Sequence, residues 1–298
     1  MSQACSISTG KVYGLKRVCH MWNVPRSTVY ARRQRKSFPR PVTRRGPKGP
    51  CIDEELVEHI RTVLLESPFH GEGYRKVWAK LRYKGIRTSK ERTRRVMREN
   101  NLLAPQRAGN PHGPKAHDGT ITMDVPNEVW GTDMTTTVTT KEGKAAVFVA
   151  VDHFNAECVG IHASKSATRF EALEPIRQGV REYFGSFTQS IAEGLKIRHD
   201  HGSQYMSDEF QEEIDFLGMT SSPSFVREPE GNGCAERFIR TLKENLLWVR
   251  TFETVEQLRL AVLEFKKTYN EQWIIQRLGY QTPSQTRKNA CNNPRKAA

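Results

Sequence analysis

At residue 121 the spacing of apolar residues changes, and that change limits what the chain can fold into. Up to about residue 104 they recur at three- and four-residue steps; afterwards they alternate or run together. "NEVWGTDMTTTVTT" (127–140) alternates and is rich in β-branched residues. "KAAVFVAVDHF" (144–154) is a continuous apolar run suited to a central strand buried on both faces, and "ECVGIHAS" makes a third strand. Then come a helix in "TRFEALEPIRQGVREYF", a short strand "LKIRHD" ending at Asp200, a helix in "SDEFQEEIDFLG" and a last strand in "MTSSPSF". A Pro/Gly-rich loop leads into a helix from about 233 to 250, and "TVEQLRLAVLEFKKTYNEQW" closes the region. Three strands in succession, then alternating helices and strands, predict an α/β core with a mixed five-stranded sheet flanked by helices, over 121–285.

The segment before 121 is helical and basic. Residues 1–120 carry 26 Lys/Arg against 9 Asp/Glu, whereas 121–298 carry 21 against 24, so the +14 net charge lies in front of the sheet. Such a split points to a polyanionic partner met by dedicated modules. Residues 1–35 have helix-turn-helix spacing, with Val12, Leu15 and Val18 on one face, Val29 facing inward, and Arg26, Arg32 and Arg33 projecting from a second helix opened by Pro25. Residues 36–52 are a basic Pro-rich linker. A helical module follows over 53–104, whose last helix, after the capping box "TSKE", bears Arg92, Arg94, Arg95 and Arg98 as DNA contacts. Residues 105–120 form a second linker and 286–298 a flexible tail. Scattered cysteines without a Cys-x-x-Cys pair argue against a zinc module and fit a reducing compartment, and no apolar run approaches the ~18–20 residues of a membrane span. A cytoplasmic, nucleoid-associated protein is the expectation.

Against this basic background, three acids call for an explanation. With the three-strand meander beside "LKIRHD", Asp133 on the first strand neighbours Asp200 at the end of the fourth, and the helix after 232 can bring Glu236 to the same edge. On that helix Ala235, Phe238, Ile239, Leu242, Leu246 and Val249 form the buried stripe, which leaves Glu236, Arg240 and Lys243 on one flank. The bland alternative for Glu236 is a surface ion pair with Arg240, worth a few tenths of a kcal/mol by the usual about 0.2–0.5 kcal/mol scale. The functional one is a metal site with Arg240 and Lys243 holding DNA phosphates beside it.

The blocks "WGTDMT", "HDHGSQYMS" and "NGCAERFIRTLKEN" resemble the three signature blocks of bacterial insertion-sequence transposases with a retroviral-integrase-like core, in the group numbered three, whose second reading frame encodes the catalytic protein. Thirty-five residues separate Asp200 from Glu236, the spacing that gives the family its acid-acid-thirty-five-glutamate name. The likeness extends through "GEGYRKVWAKLR", "RRVMRENNLLAP" and "YNEQ…RLGYQTPSQ", roughly 50–285. It implies a ribonuclease-H-like fold with Asp133, Asp200 and Glu236 as catalytic triad and metal ligands. It also implies two Mg2+ ions (Mn2+ as substitute) in the active complex, Lys243 at terminal DNA, and a supporting role for Asn232. The partners so implied are double-stranded DNA at terminal inverted repeats and at the target, further copies of the chain, and the upstream-frame product. The segment "WIIQRLGY" stands where the family often has Arg-Pro-His, so no role is carried over to it. Asp152, a tempting fourth acid, reads as structural, and His199 and His201 as loop or phosphate contacts. The expected reaction is strand cleavage followed by transesterification by the freed 3′-hydroxyl; the rival readings are a catalytically decayed, domesticated DNA-binding regulator and a host nuclease of ribonuclease-H type.

Overall fold

The computed structural model describes residues 3–37, 51–105, 123–223 and 232–292. Most of the linkers expected at 36–52 and 105–120 lies outside them. The chain divides into two compact units, Met1–Lys48 and Gly49–Ala298.

In the first unit, α1 (Leu15–Met21) and α2 (Arg26–Ser37) are joined by a short turn, and Cys5 and Val12 form an isolated antiparallel bridge. Among its described residues only Cys19 is buried; Leu15, Val18 and Val29 are half-covered, and Val12 is exposed, departing from the predicted apolar face. Arg26, Arg32 and Arg33 are exposed on α2.

The second unit begins with α3 (Asp53–Leu65), α4 (Tyr74–Tyr83) and α5 (Lys90–Glu99). Leu56, Ile60, Val63, Val77, Leu81, Val96 and Met97 interlock in a small core of their own. The module also packs against the larger core. Phe69 belongs to the large core and meets Trp273 edge-on at 4.8 Å, and the His70 amide donates to Asn245 Oδ1 at 2.8 Å.

The sheet contains β1 (Val129–Thr139), β2 (Gly143–Asp152), β3 (Cys158–Ser164), β4 (Lys196–His199) and β5 (Thr220–Pro223), in the order β3-β2-β1-β4-β5. The first three form an antiparallel meander; β4 lies parallel to β1, and β5 parallel to β4. This is the mixed five-stranded sheet the sequence predicted, in keeping with the ribonuclease-H-like fold that the resemblance implied. The continuous apolar run of β2 follows from helices on both faces. Val147, Val149 and Val151 pack into a core with α8 (Gly233–Leu242) and α9 (Val255–Gln272). The alternate residues Ala146, Phe148 and Ala150 face α6 (Arg169–Phe184), with Ile214 of α7 (Asp208–Phe216) in the same cluster. Each larger side chain so buried contributes about 1.5–3 kcal/mol. The backbones of α6 and β3 nearly touch: a Cβ on Gly160 would stand 1.8 Å from the Pro175 carbonyl oxygen.

The C-terminal end corrects the expected tail. Residues 286–292 belong to α10 (Pro283–Asn292), because Arg287 is buried between two acids, Asp152 and Glu157. Among the described residues no helix is long and apolar enough to cross a membrane.

Candidate active site

The parallel pairing of β1 and β4 places Asp133 and Asp200 on neighbouring strands, with Asp133 in mid-strand and Asp200 one residue past β4. The turn after β4 is fastened from below. His199 is buried, with Nδ1 2.6 Å from the Asp200 carbonyl oxygen and Nε2 2.9 Å from Ser221 Oγ on β5. Its ring stacks on Tyr205 at 5.5 Å, and burial lowers its pKa, so it stands as a neutral structural imidazole. His201 is exposed. The Gly202 amide donates to Asp200 Oδ1 at 2.9 Å, and the Met134 amide to Asp133 Oδ1 at 2.7 Å.

Glu236 comes from the first turn of α8. Asn232 docks this helix by donating from Nδ2 to the Thr132 carbonyl at 2.9 Å, one residue before Asp133. Gly131 lets the contact form, since a Cβ there would lie 2.5 Å from Asn232 Oδ1. The supporting role implied for Asn232 is thus given a physical form.

Electrostatics tie the residues together. Loss of water raises the Asp133 carboxyl to about 6, against its backbone hydrogen bond; the negative charges of Asp200 and Glu236 push it further up and the Lys243 ammonium pulls it down. Asp200, Glu236 and Lys243, drawn from up to 110 positions further along the chain, therefore all bear on the Asp133 carboxyl. Desolvation also raises the Glu236 carboxyl, although the residue stands on the exposed flank of its helix. A cluster of oxygen donors whose charges oppose one another is chemically suited to a hard divalent cation. Among the described residues, no three acidic, histidine or cysteine groups already stand at ligand spacing. Each aspartate turns one oxygen to a local amide.

The predicted helix of 233–250 is interrupted just past the site. Lys243–Leu247 is a π-helical turn, and the extra residue puts the later side chains out of phase with those before it. Leu246 and Leu247 are buried, whereas Val249, assigned to the apolar stripe by simple helical spacing, is 55% exposed. Arg240 pairs with Glu244 at 3.2 Å rather than with Glu236, which leaves the glutamate without that surface partner.

The basic helix of the N-terminal module is less available than its sequence suggested. Arg92 and Arg95 grip Asp53 of α3 at 2.8 and 2.5 Å, and Arg95 also reaches Glu99 at 2.7 Å. Arg94 and Arg98 are exposed. Asp152 has the structural role expected of it: it is fully buried, accepts from the amides of Asn127 and Phe154, and pairs with Arg287 at 2.6 Å.

Two residues escaped the sequence reading. Tyr205 is fully buried beneath Asp133 and Asp200, its hydroxyl shifted upward in pKa by burial first and then by both carboxylates. An aromatic inside the polar turn "GSQYMS" was the available signal. Arg287 had none, because nothing nearby in sequence marks its acidic partners.

Comparison with known proteins agrees with this geometry. The integrase core domain family matches residues 124–229, a second integrase core domain family 217–283, and an HTH-like domain family 52–109. Transposase InsD for insertion element IS2A/D/F/H/I/K of Escherichia coli is 27% identical over 248 residues, covering 80% of this chain and 81% of the relative. The two integrase core domain matches together span 124–283, the sheet and the helices after it, and the HTH-like match precedes them. Among solved structures, the HTLV-2 integrase catalytic core domain in complex with magnesium aligns at 22% identity and a TM-score of 0.41, covering 55% of this chain and 97% of that one. The BIV integrase catalytic core aligns at 19% identity and a TM-score of 0.41, covering 56% and 98%.

Proposed function

We propose that this protein is a transposase that cleaves DNA at the ends of an insertion element and joins the freed ends to a target, with Asp133, Asp200 and Glu236 as its catalytic carboxylates. The observation that carries the reading is the electrostatic convergence of the three acids and Lys243. The triad would hold divalent ions, Mg2+ or Mn2+, two in the active complex. When bound, such ions supply Lewis-acid stabilisation of the phosphoryl oxygens and lower the pKa of attacking water. The chain's own residues do the positioning. Asp133 and Asp200 present oxygens from adjacent strands, Glu236 faces them from α8, and Lys243 meets the phosphate beside the scissile one. Tyr205 and His199 keep the floor of the turn rigid.

Direct attack by water or a 3′-hydroxyl is favoured over a covalent protein–DNA intermediate by the local nucleophiles. Burial pushes the Cys234 thiol up to about 12, so it is not a thiolate at neutral pH, and the Tyr205 phenol is shifted upward and enclosed. The intact set of acids and the Lys243 position disfavour the decayed-regulator reading. Because two ends must be joined, self-association on DNA belongs to the proposal, as does cooperation with the product of an upstream frame.

The test is strand cleavage of an end-containing duplex in Mg2+ by single alanine variants of the three acids, with end binding measured in parallel. Loss of products with binding retained is expected; full cleavage by any one variant would overturn the triad. Replacing Lys243 with Gln should weaken end binding and flatten its salt dependence by about 0.9 in the log–log slope.

A further inference from the structure

Between Tyr74 and Arg98 the chain has eleven Lys/Arg and one acid, Glu91. Seven of these cations fall into two groups, while Arg94 is exposed and stands 3.9 Å from Glu91. Lys80 pairs with Glu72 at 2.5 Å, Lys84 with Glu66, and Arg92 and Arg95 with Asp53; these hold the module together. Arg75, Arg82 and Lys90 are exposed, and among the described residues none of them has an acid at ion-pair distance.

These three cations, with Arg94, lie against aromatic rings instead. The Arg82 guanidinium is 5.1 Å and the Lys90 ammonium 4.5 Å from the Trp78 ring centre, and Lys90 is 5.6 Å from that of Tyr280. Arg75 and Arg94 each stand 5.7 Å from the Tyr74 ring centre. Trp78 meets Tyr280 edge-on at 5.5 Å, and its Nε1 donates to the Thr88 carbonyl at 2.8 Å. The Tyr83 hydroxyl donates to the Tyr280 carbonyl at 2.8 Å, and Arg75 to Gln276 at 3.4 Å. Tyr280 is itself held at φ +66°, a conformation a bulky side chain keeps only where its surroundings impose it. A ring from the turn before α10 is thus fixed beneath cations of the helical module.

We propose that Arg75, Arg82, Lys90 and Arg94, seated on the Tyr74, Trp78 and Tyr280 rings, form a contact surface for the phosphate backbone of duplex DNA. The proposal rests on the reading of DNA as substrate and deepens it. It moves the module's DNA contact from the α5 flank bearing Arg92 and Arg95 to a face built jointly by α4, α5 and the 276–280 turn. A cation lying on a ring keeps its charged head in water while its stem is already ordered, so little side-chain freedom remains to be lost on meeting a phosphate. Since the Trp78–Tyr280 seam joins module and core, duplex gripped there is held at a fixed distance from Asp133.

The experiment uses the full chain and a fluorescein-labelled duplex of arbitrary sequence, titrated over a range of salt. The Arg82→Gln/Lys90→Gln double variant should shorten the slope of log affinity against log salt by about 1.8, two contacts at about 0.9 each. Arg82→Lys/Lys90→Arg should restore it. Arg259→Gln, which removes an exposed charge paired with Glu256, should leave the slope unchanged. Thermal unfolding matched to wild type excludes misfolding as the cause. An unchanged slope in the double variant, or an equal fall in Arg259→Gln, overturns the proposal. Nicking of an end-containing duplex in Mg2+ by wild type and by the double variant, run in parallel, reads the active site separately. A chain that binds with a steep slope dependent on Arg82 and Lys90 but nicks nothing sinks the catalytic reading alone. Normal nicking with a slope indifferent to them sinks this one alone.

Discussion

Replacing Arg287 with Met removes the one cation between two buried acids. The guanidinium donates to Asp152 Oδ2 at 2.6 Å, to Glu157 and to Asn127 Oδ1 at 3.0 Å, and lies 4.1 Å from the Tyr183 ring centre. Asp152 and Glu157 are 0% and 4% exposed, so neither can turn to water when the arginine goes. Breaking a buried pair from one side costs about 3–5 kcal/mol. At about 2–4 °C per kcal/mol for a unit of this size, the melting temperature of the second unit should fall by about 6–20 °C. The sign of the pH dependence follows from Asp152, whose pKa burial raises even with Arg287 present. A carboxyl with a raised folded-state pKa contributes stability below its unfolded pKa and loses it as pH rises through the folded one. Without the arginine that shift grows, so the variant's deficit should be largest at neutral pH and shrink on acidification. Adding Asp152→Asn should recover part of the loss, as a double-mutant cycle read by urea unfolding would register. A deficit below about 1 kcal/mol, against the 3–5 expected for a buried pair, or one that widens in acid, would refute the reasoning.

Other perturbations probe single contacts. Gly160→Ala forces α6 away from β3, because the added methyl would overlap the Pro175 carbonyl; a loss of about 1–3 kcal/mol or more in urea unfolding is expected, and a neutral result would mean the two elements are not in contact. Asn232→Ala removes the donor to the Thr132 carbonyl, costing about 1–3 kcal/mol for the unpaired acceptor. It should also slow strand cleavage through misplaced Glu236 while sparing DNA binding; unaltered cleavage would deny it a positioning role.

The succession of strands and helices and the buried central strand were legible in the sequence because each rests on local pattern. Alternation in 127–140 and the apolar run of 144–154 state their burial directly. What stayed hidden depends on partners distant in the chain. The spacing of Arg92 and Arg95 suits an exposed basic face, but Asp53, some forty residues earlier, takes both. Residues 286–298 lack apolar periodicity and read as a tail, although Arg287 fastens their first part to β2. Simple 3.6-residue spacing assigned Val249 to the core, but the π turn at Lys243–Leu247 shifted the phase.

The proposed triad would hold divalent metal jointly at the β1–β4 edge. Anomalous diffraction from crystals of the chain with an end duplex and Mn2+ tests it most directly. Metal density coordinated by oxygens of Asp133 and Asp200 is expected, with Glu236 turned inward to complete the site. Saturating Mn2+ that leaves this edge empty, or binds elsewhere while the duplex is cut, would contradict it.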